Sequence, residues 1–397
     1  MSRRNPMLAA RDGRLFLAAQ ALDSLAIGLA GVALPWFVLQ SGGSQTQAGL
    51  VYSLTVIPYV LFGLTAGSLG DRLSRRTVML CGHATQAACS AVIPLWTIAG
   101  TPPVGVVLVI AFAVGSGRVF ADAAAFGAVA TIVGPERFAE GQGMVSAAWS
   151  LGLFAGPALG GALVSAVGAA RALGAEAAAL ALAALLVAAV RTSFTLGGEE
   201  TVGSIREGLR FITGNRGIAT YTLVIVAWNL VASGSFALLV PLLRDGVGLS
   251  SDSVGTILAL GSIAAFTGSL VAARVSRRYG AAAVFCCCML ATAVAMAMLG
   301  LAGGFAVALM GVLAYLLVEG LVNVVSIGER QRRAPQRLQG RVGIAGRMVA
   351  LGAMAGGSAL ASGLTGAVGI THLYIGMGVA TALVAAIAAP LLLRLED

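Results

Sequence analysis

Lysine is missing from this 397-residue chain; its 25 basic residues are all arginine. A phosphate-binding loop of the GK[ST] kind therefore cannot be built, and no HExxH or GxSxG stretch occurs either. Histidine is almost as scarce. His83 and His372 fall in different apolar runs, so a two-histidine metal site has little support. Charged residues make up only 10% of the chain, whereas a soluble domain carries roughly a quarter. Most of this protein's surface cannot face water. The five cysteines, Cys81, Cys89 and Cys286 to Cys288, sit in apolar stretches without ligand or disulfide spacing. They read as small apolar helix residues. These absences argue against an enzyme, a metal or organic cofactor, and an ATP-driven pump, which would need a soluble nucleotide domain.

What is abundant is apolar length: 58% of residues are hydrophobic, with a mean hydropathy of +0.93. Runs of about 20 apolar residues recur, each long enough to cross a ~30 Å hydrocarbon core. Backbone groups in lipid must be satisfied within the segment, which predicts helices. A barrel would show alternating strands of about 10 residues, and these runs are longer and do not alternate. The chain reads as an all-α membrane protein with twelve spans, near 14–40, 46–69, 77–99, 103–133, 141–166, 172–190, 217–243, 253–273, 281–301, 304–327, 342–366 and 372–393. The basic start, "MSRRNPMLAARDGR", leads into a run that reads as a first span rather than a removed signal peptide.

The net charge of +9 does not point to nucleic acid, because the arginines fall in short loops. With a cytoplasmic N-terminus, nearly all of them lie on the inner side and only Arg171 and Arg244 in outer loops. An even number of spans then puts both termini in the cytoplasm. The longest polar stretch divides the chain into a six-helix bundle over 1–190, a linker over 191–216 and a second six-helix bundle over 217–397. Within the linker, Ile205, Leu209 and Ile212 share a face opposite Arg206 and Arg210, as in an amphipathic helix at the inner interface. The halves also repeat. Pro135 to Arg137, "PER", returns as "PQR" at Pro335 to Arg337; "LGLFAG" from Leu151 returns as "LGAMAG" from Leu351; "GSLGDRLSRR" from Gly67 returns as "GSLVAARVSRR" from Gly268. Three matches at nearly one displacement argue for duplication into pseudo-symmetric halves, the plan of a secondary transporter.

The loop between spans 2 and 3 carries Gly67, Asp71, Arg72, Ser74, Arg75 and Arg76. It resembles the signature loop of the major facilitator superfamily, Gly-x-x-x-Asp-Arg-x-Gly-Arg-Arg, with Ser74 in place of the second glycine. The resemblance implies a cytoplasmic latch. Gly67 would let span 2 approach a neighbour closely, Asp71 would face the positive end of span 11 near Gly340 and Arg341, and Arg75 and Arg76 would anchor at the inner leaflet. In the second half the aspartate position is Ala272 or Ala273, so only one such latch is expected. Span 5 reads "GLFAGPALGG": Gly152, Gly156, Pro157, Gly160 and Gly161 fit the family's antiporter motif, and members that carry it are mostly exporters. Glycines at i, i+4 and i+8 make a smooth face for close helix contact, and Pro157 favours a bend.

Ionisable residues inside spans cost about 2.5–3.5 kcal/mol each even on a lenient insertion scale, so each needs a reason. Asp23 lies in span 1, Arg118 and Asp122 in span 4, and Glu319 in span 10. Arg118 and Asp122 are four apart and can pair; Arg118 either tunes a proton site or neutralises Asp122. Asp23 and Glu319 have no local cation and are the expected proton carriers, with Asp23 first because a first-span carboxylate recurs in multidrug members of the family. Glu176 and Arg347 are nearer span ends, where snorkelling suffices. Gln20, Trp36, Phe37, Trp149, Trp228, Asn229, Phe236 and Asn323 are candidates to line a mainly apolar substrate cavity. The end of span 1, "LPWFVLQSGGS", and "PQRLQGRV" resemble the subgroup of macrolide-efflux and enterobactin-exporter proteins. The expectation is a monomeric transporter of a bacterial cytoplasmic membrane that exchanges protons for a drug, antibiotic or secondary metabolite. An uptake symporter or a siderophore exporter on the same fold is the alternative.

Overall fold

The computed structural model describes residues 6–192, 209–333 and 339–394. Among them the long elements are twelve helices, each long and apolar enough to cross a membrane, and no strand occurs. They are α1 (Arg11–Gln40), α2 (Gln45–Arg72), α3 (Arg75–Trp96), α4 (Val104–Val133), α5 (Phe138–Val167), α6 (Ala169–Ala189), α7 (Arg216–Pro241), α8 (Ser251–Tyr279), α9 (Ala281–Gly300), α10 (Phe305–Arg333), α11 (Gln339–Val368) and α12 (Ile370–Leu393). Several outrun the apolar slab: the 30 residues of α4 make a rod of about 45 Å at ~1.5 Å per residue. Three of these helices carry a proline well inside them, Pro35, Pro58 and Pro157, and three carry one in the last turn, Pro94, Pro241 and Pro390.

The chain forms two compact units, one of residues 1–41 and 54–201, the other of residues 42–53 and 202–397. In the first, α1 packs chiefly on α5 and α6, and α3 on α4 and α6. In the second, α7 packs on α11 and α12, α9 on α10 and α12, and α8 on α10. Each of the first four pairings thus returns six helices later, as the duplicated sequence leads one to expect. The first unit's core includes Phe16, Met79, Val129 and Val187; the second's includes Tyr221, Trp228, Phe285, Met289 and Val322.

Three connections are a single glycine. Gly168, Gly280 and Gly369 join α5 to α6, α8 to α9 and α11 to α12, at φ +86°, +82° and +82°. This left-handed region is open to glycine at no steric cost. The same bonding recurs at each bend: the glycine N–H donates to the carbonyl four residues back, and its own carbonyl accepts from the N–H four residues on.

Only the end of the expected interfacial helix lies within the described residues. There 209–214 is helical, and Ile212 is buried with Ile218, Val342 and Ala345, while Leu209 and Arg210 are exposed. Ile205 and Arg206 lie outside the described residues.

Candidate functional site

The glycine face of α5 meets the backbone of α1. A Cβ built on Gly156 would stand 2.6 Å from Gly28 Cα and 2.7 Å from the Leu25 carbonyl; one on Gly160 would stand 2.9 Å from the Leu29 carbonyl. At Gly152 it would run into the Ser24 hydroxyl and the Ala21 carbonyl. Carbon atoms in ordinary contact are ~3.5–4.0 Å apart, so no side chain fits anywhere along this seam. Gly161 is buried and Pro157 half-buried. The second unit repeats the device where Gly357 of α11 lies against the backbone of Leu230 of α7.

The side chains of Asp71, Arg72 and Arg341 and the surroundings of Gly67 and Gly340 are not described, so the latch is described only through Arg75 and Arg76. Both are engaged with protein. Arg75 NH1 donates to the Gly127 carbonyl of α4 at 2.9 Å, and Arg76 donates to the Ala188 carbonyl in the last turn of α6. The resemblance implies membrane anchors; here each guanidinium donates to a backbone carbonyl of a neighbouring helix, that of Ala188 lying where carbonyls lack intrahelical partners.

The interior of the first unit gathers the buried charges. Asp23 of α1 and His83 of α3 are 2% and 1% exposed, and Asp23 Oδ1 stands 3.4 Å from His83 Nδ1. The positive charge of Arg118, on α4, acts on Asp23 and also on Glu176 of α6. Glu176 is 4% exposed and accepts a 3.0 Å hydrogen bond from Ser90 Oγ of α3. Asp122 accepts from the Tyr59 hydroxyl of α2.

Two expectations change as a result. Asp23 does have a basic neighbour, a histidine sixty residues further along the chain that an inspection of its own helix cannot reveal. Glu176 is not a snorkelling residue, since α6 begins at Ala169 and places it two turns inside the helix on the buried face. Arg347 is exposed.

In the second unit, Glu319 lies midway along α10 with its Oε2 atom fully buried. The indole of Trp228 is its polar neighbour, yet Trp228 Nε1 makes no hydrogen bond of ordinary geometry. Trp228 is itself core, 2% exposed and 6.0 Å from the Phe285 ring. Phe236 is exposed and packs at 5.3 Å on Tyr52. Asn229 is half-buried and Asn323 exposed. Of the first-unit candidates, Gln20 and Phe37 are buried, Trp36 half-buried and Trp149 exposed. Trp228 belongs to the core of its own unit. Among the described residues no group of three or more His, Cys, Asp or Glu is arranged to hold a metal ion.

The family described as the Major Facilitator Superfamily matches residues 16–342. The multidrug efflux pump Tap of Mycobacterium tuberculosis is 31% identical over 229 residues, 53% of this chain and 53% of that protein. The chain thus spans about half the length of that relative in the alignment. The multidrug efflux pump Tap of Mycolicibacterium fortuitum is 27% identical over 363 residues, covering 87% of this chain and 86% of the relative. Among solved structures, the nucleoside transporter NupG superposes with a TM-score of 0.78 at 12% identity, over 95% of this chain and 98% of its own. A D-xylose–proton symporter superposes with a TM-score of 0.74 at 16% identity, over 94% and 97%. At such identities the likeness is one of fold.

Proposed function

The chain belongs to the Major Facilitator Superfamily, and on that footing we propose that it is a proton-coupled antiporter exporting a hydrophobic or amphiphilic small molecule by alternating access. The observation that carries this reading is Asp23, a carboxyl 2% exposed within a membrane-spanning helix. An ionised group there is expensive, so its proton inventory changes with the side of the membrane to which it opens. Proton entry yields about 2.3 kcal/mol per charge per 100 mV of membrane potential. Protonation and cargo then bias the two access states in opposite directions.

Support for the export direction comes from the glycine seam between α5 and α1 and from the relatives named multidrug efflux pumps. In this reading Asp23 leads proton coupling, with Glu319 second and Arg118 and Asp122 tuning the site. The loop of Gly67, Asp71, Arg72, Arg75 and Arg76 latches the cytoplasmic side. The two bundles are 1–190 and 217–397, joined by the linker over 191–216, with both termini cytoplasmic and the protein a monomer. The apolar character of the cavity candidates favours an amphiphile over a sugar.

The test is ethidium accumulation in cells expressing the protein, with and without a protonophore, and proton-driven ethidium uptake into everted vesicles. Expression should lower accumulation, the protonophore should abolish the difference, and Asp23→Asn should abolish uptake into vesicles. Expression that raises accumulation would mark an uptake symporter; unchanged proton coupling in Asp23→Asn removes Asp23 from the role.

A further inference from the structure

One face of α3 carries His83, Gln86 and Ser90, spaced by three and four residues and so aligned along the helix. They are 1%, 1% and 2% exposed. A carboxyl stands at each end of this strip: Asp23 at His83, and Glu176 at Ser90. Buried polar groups are normally satisfied, yet Asp23 Oδ1, both ring nitrogens of His83 and Gln86 Nε2 make no hydrogen bond of ordinary geometry. These orphaned atoms lie along one strip, between two acids, inside one bundle. A neutral imidazole offers one donor and one acceptor, whereas its cation offers two donors. Protonating the imidazole makes both of its nitrogens donors and sets a cation 3.4 Å from the Asp23 carboxylate.

The remaining charged groups around the strip are few. From α4 comes Arg118, which acts on both carboxyls, with Asp122 one turn along and bonded to Tyr59. The only ionisable residue of α5, Glu140, is paired with Arg137 at 2.7 Å near the helix start. Below Asp71, α2 contributes no acid or base. Two acids therefore share one guanidinium, and charging one changes the field at the other. At Gly82, beside His83, an added Cβ would meet the Gly117 carbonyl of α4 at 2.6 Å, so the strip is held rigidly against the helix that carries Arg118.

We propose that Asp23 and His83 hold one proton between them and that Glu176, at the far end of the same strip, is coupled to that pair, making the three a single proton-binding unit within the first bundle. The inference deepens the antiport reading and rests on it for its role in transport. Loading places the proton on the pair; unloading leaves Asp23 ionised beside a neutral imidazole. Glu176 sets how readily the pair charges, through the electrostatics it shares by way of Arg118. His83 is the group that most directly reports the state of the unit.

The experiment uses the chain's shortage of histidine. The full-length protein labelled with ¹⁵N-histidine in lipid nanodiscs gives two imidazole spectra, His83 and His372, assigned with His372→Gln. Their pH titrations are followed by NMR without any transported compound. The response of the His83 imidazole signals to pH should change in Asp23→Asn, as expected for loss of a charge within a few ångströms. A measurable shift is also expected in Glu176→Gln and none in Glu140→Gln. A circular-dichroism melt and a gel-filtration profile like the parent's show that each variant is folded. A His83 whose response to pH is the same as the parent's in Asp23→Asn or in Glu176→Gln overturns the proposal. Because no cargo is present, the two readings fail separately: a unit that titrates as described in a protein that exports nothing sinks antiport, and proton-driven ethidium export with an inert His83 sinks the unit.

Discussion

Gly156→Ala tests the seam between α1 and α5 with a single methyl group. The added carbon would lie 2.6 Å from Gly28 Cα and 2.7 Å from the Leu25 carbonyl, about 1 Å inside ordinary contact. Both neighbours are backbone atoms of α1, so no side chain can swing away and the helices themselves must part. Forced overpacking of this kind costs typically ~1–3 kcal/mol. Alanine also favours the helix over glycine by about 1 kcal/mol, a gain that a matched control isolates. Gly143 lies on the same helix with nothing within 4 Å of a Cβ, so Gly143→Ala receives the helical gain alone. The difference between the two variants is then about 1–3 kcal/mol, visible as a gap of a few degrees in apparent Tm. Thermal unfolding of the purified full-length protein, followed by tryptophan fluorescence in one detergent, reads it directly. Gly160→Ala, whose closest contact is 2.9 Å, should be milder than Gly156→Ala. If Gly156→Ala melts with Gly143→Ala or above it, the seam is not a backbone contact and the argument fails.

Other consequences follow from individual contacts. Arg75→Ala removes the 2.9 Å bond to the Gly127 carbonyl and should cost about 1.5–3 kcal/mol, as for hydrogen bonds to charged groups; a melt unchanged from the parent would assign Arg75 to topology alone. Asp12 accepts from the Arg191 and Thr192 amides and the Thr192 hydroxyl at 3.1, 2.8 and 2.6 Å. Asp12→Ala should therefore speed hydrogen exchange at those two amides at least tenfold, equivalent to about 1.4 kcal/mol, and equal rates would show the contact is idle. Tyr59→Phe deprives Asp122 of its hydroxyl donor and should destabilise by about 1–3 kcal/mol. Asp122→Asn in the same background should recover part of that loss, and a double variant no better than the single would refute the pairing.

The spans could be read from composition because lipid leaves the chain so little choice. The expected 14–40, 103–133 and 372–393 stand beside observed Arg11–Gln40, Val104–Val133 and Ile370–Leu393. The ends of α8 and α10 were harder. Both run beyond the apolar slab, to Tyr279 and Arg333, because hydropathy marks where lipid stops and not where backbone bonding stops. In α10 the overhang is held by Glu329, which takes hydrogen bonds from Arg332 at 2.8 Å and Arg333 at 3.1 Å. The glycine run of α5 was legible as a contact face, since small residues at one period have few other uses, but not its partner α1. Partnership across helices is where a lone sequence falls silent. His83 looked isolated only because Asp23 is on another helix, and Glu176 looked peripheral because its distance from the span end was judged without the helix start.

The single-residue bends bear on how such a chain is built and altered. With one glycine between α5 and α6, and another between α11 and α12, neither pair has any slack: a tilt taken by one helix must be transmitted to its mate. Each pair turns at one residue, so both should enter the bilayer during synthesis as joined limbs. A reporter tag inserted at Gly168 or Gly369 would lengthen a joint that has no length, and would disable the protein at the stage of assembly.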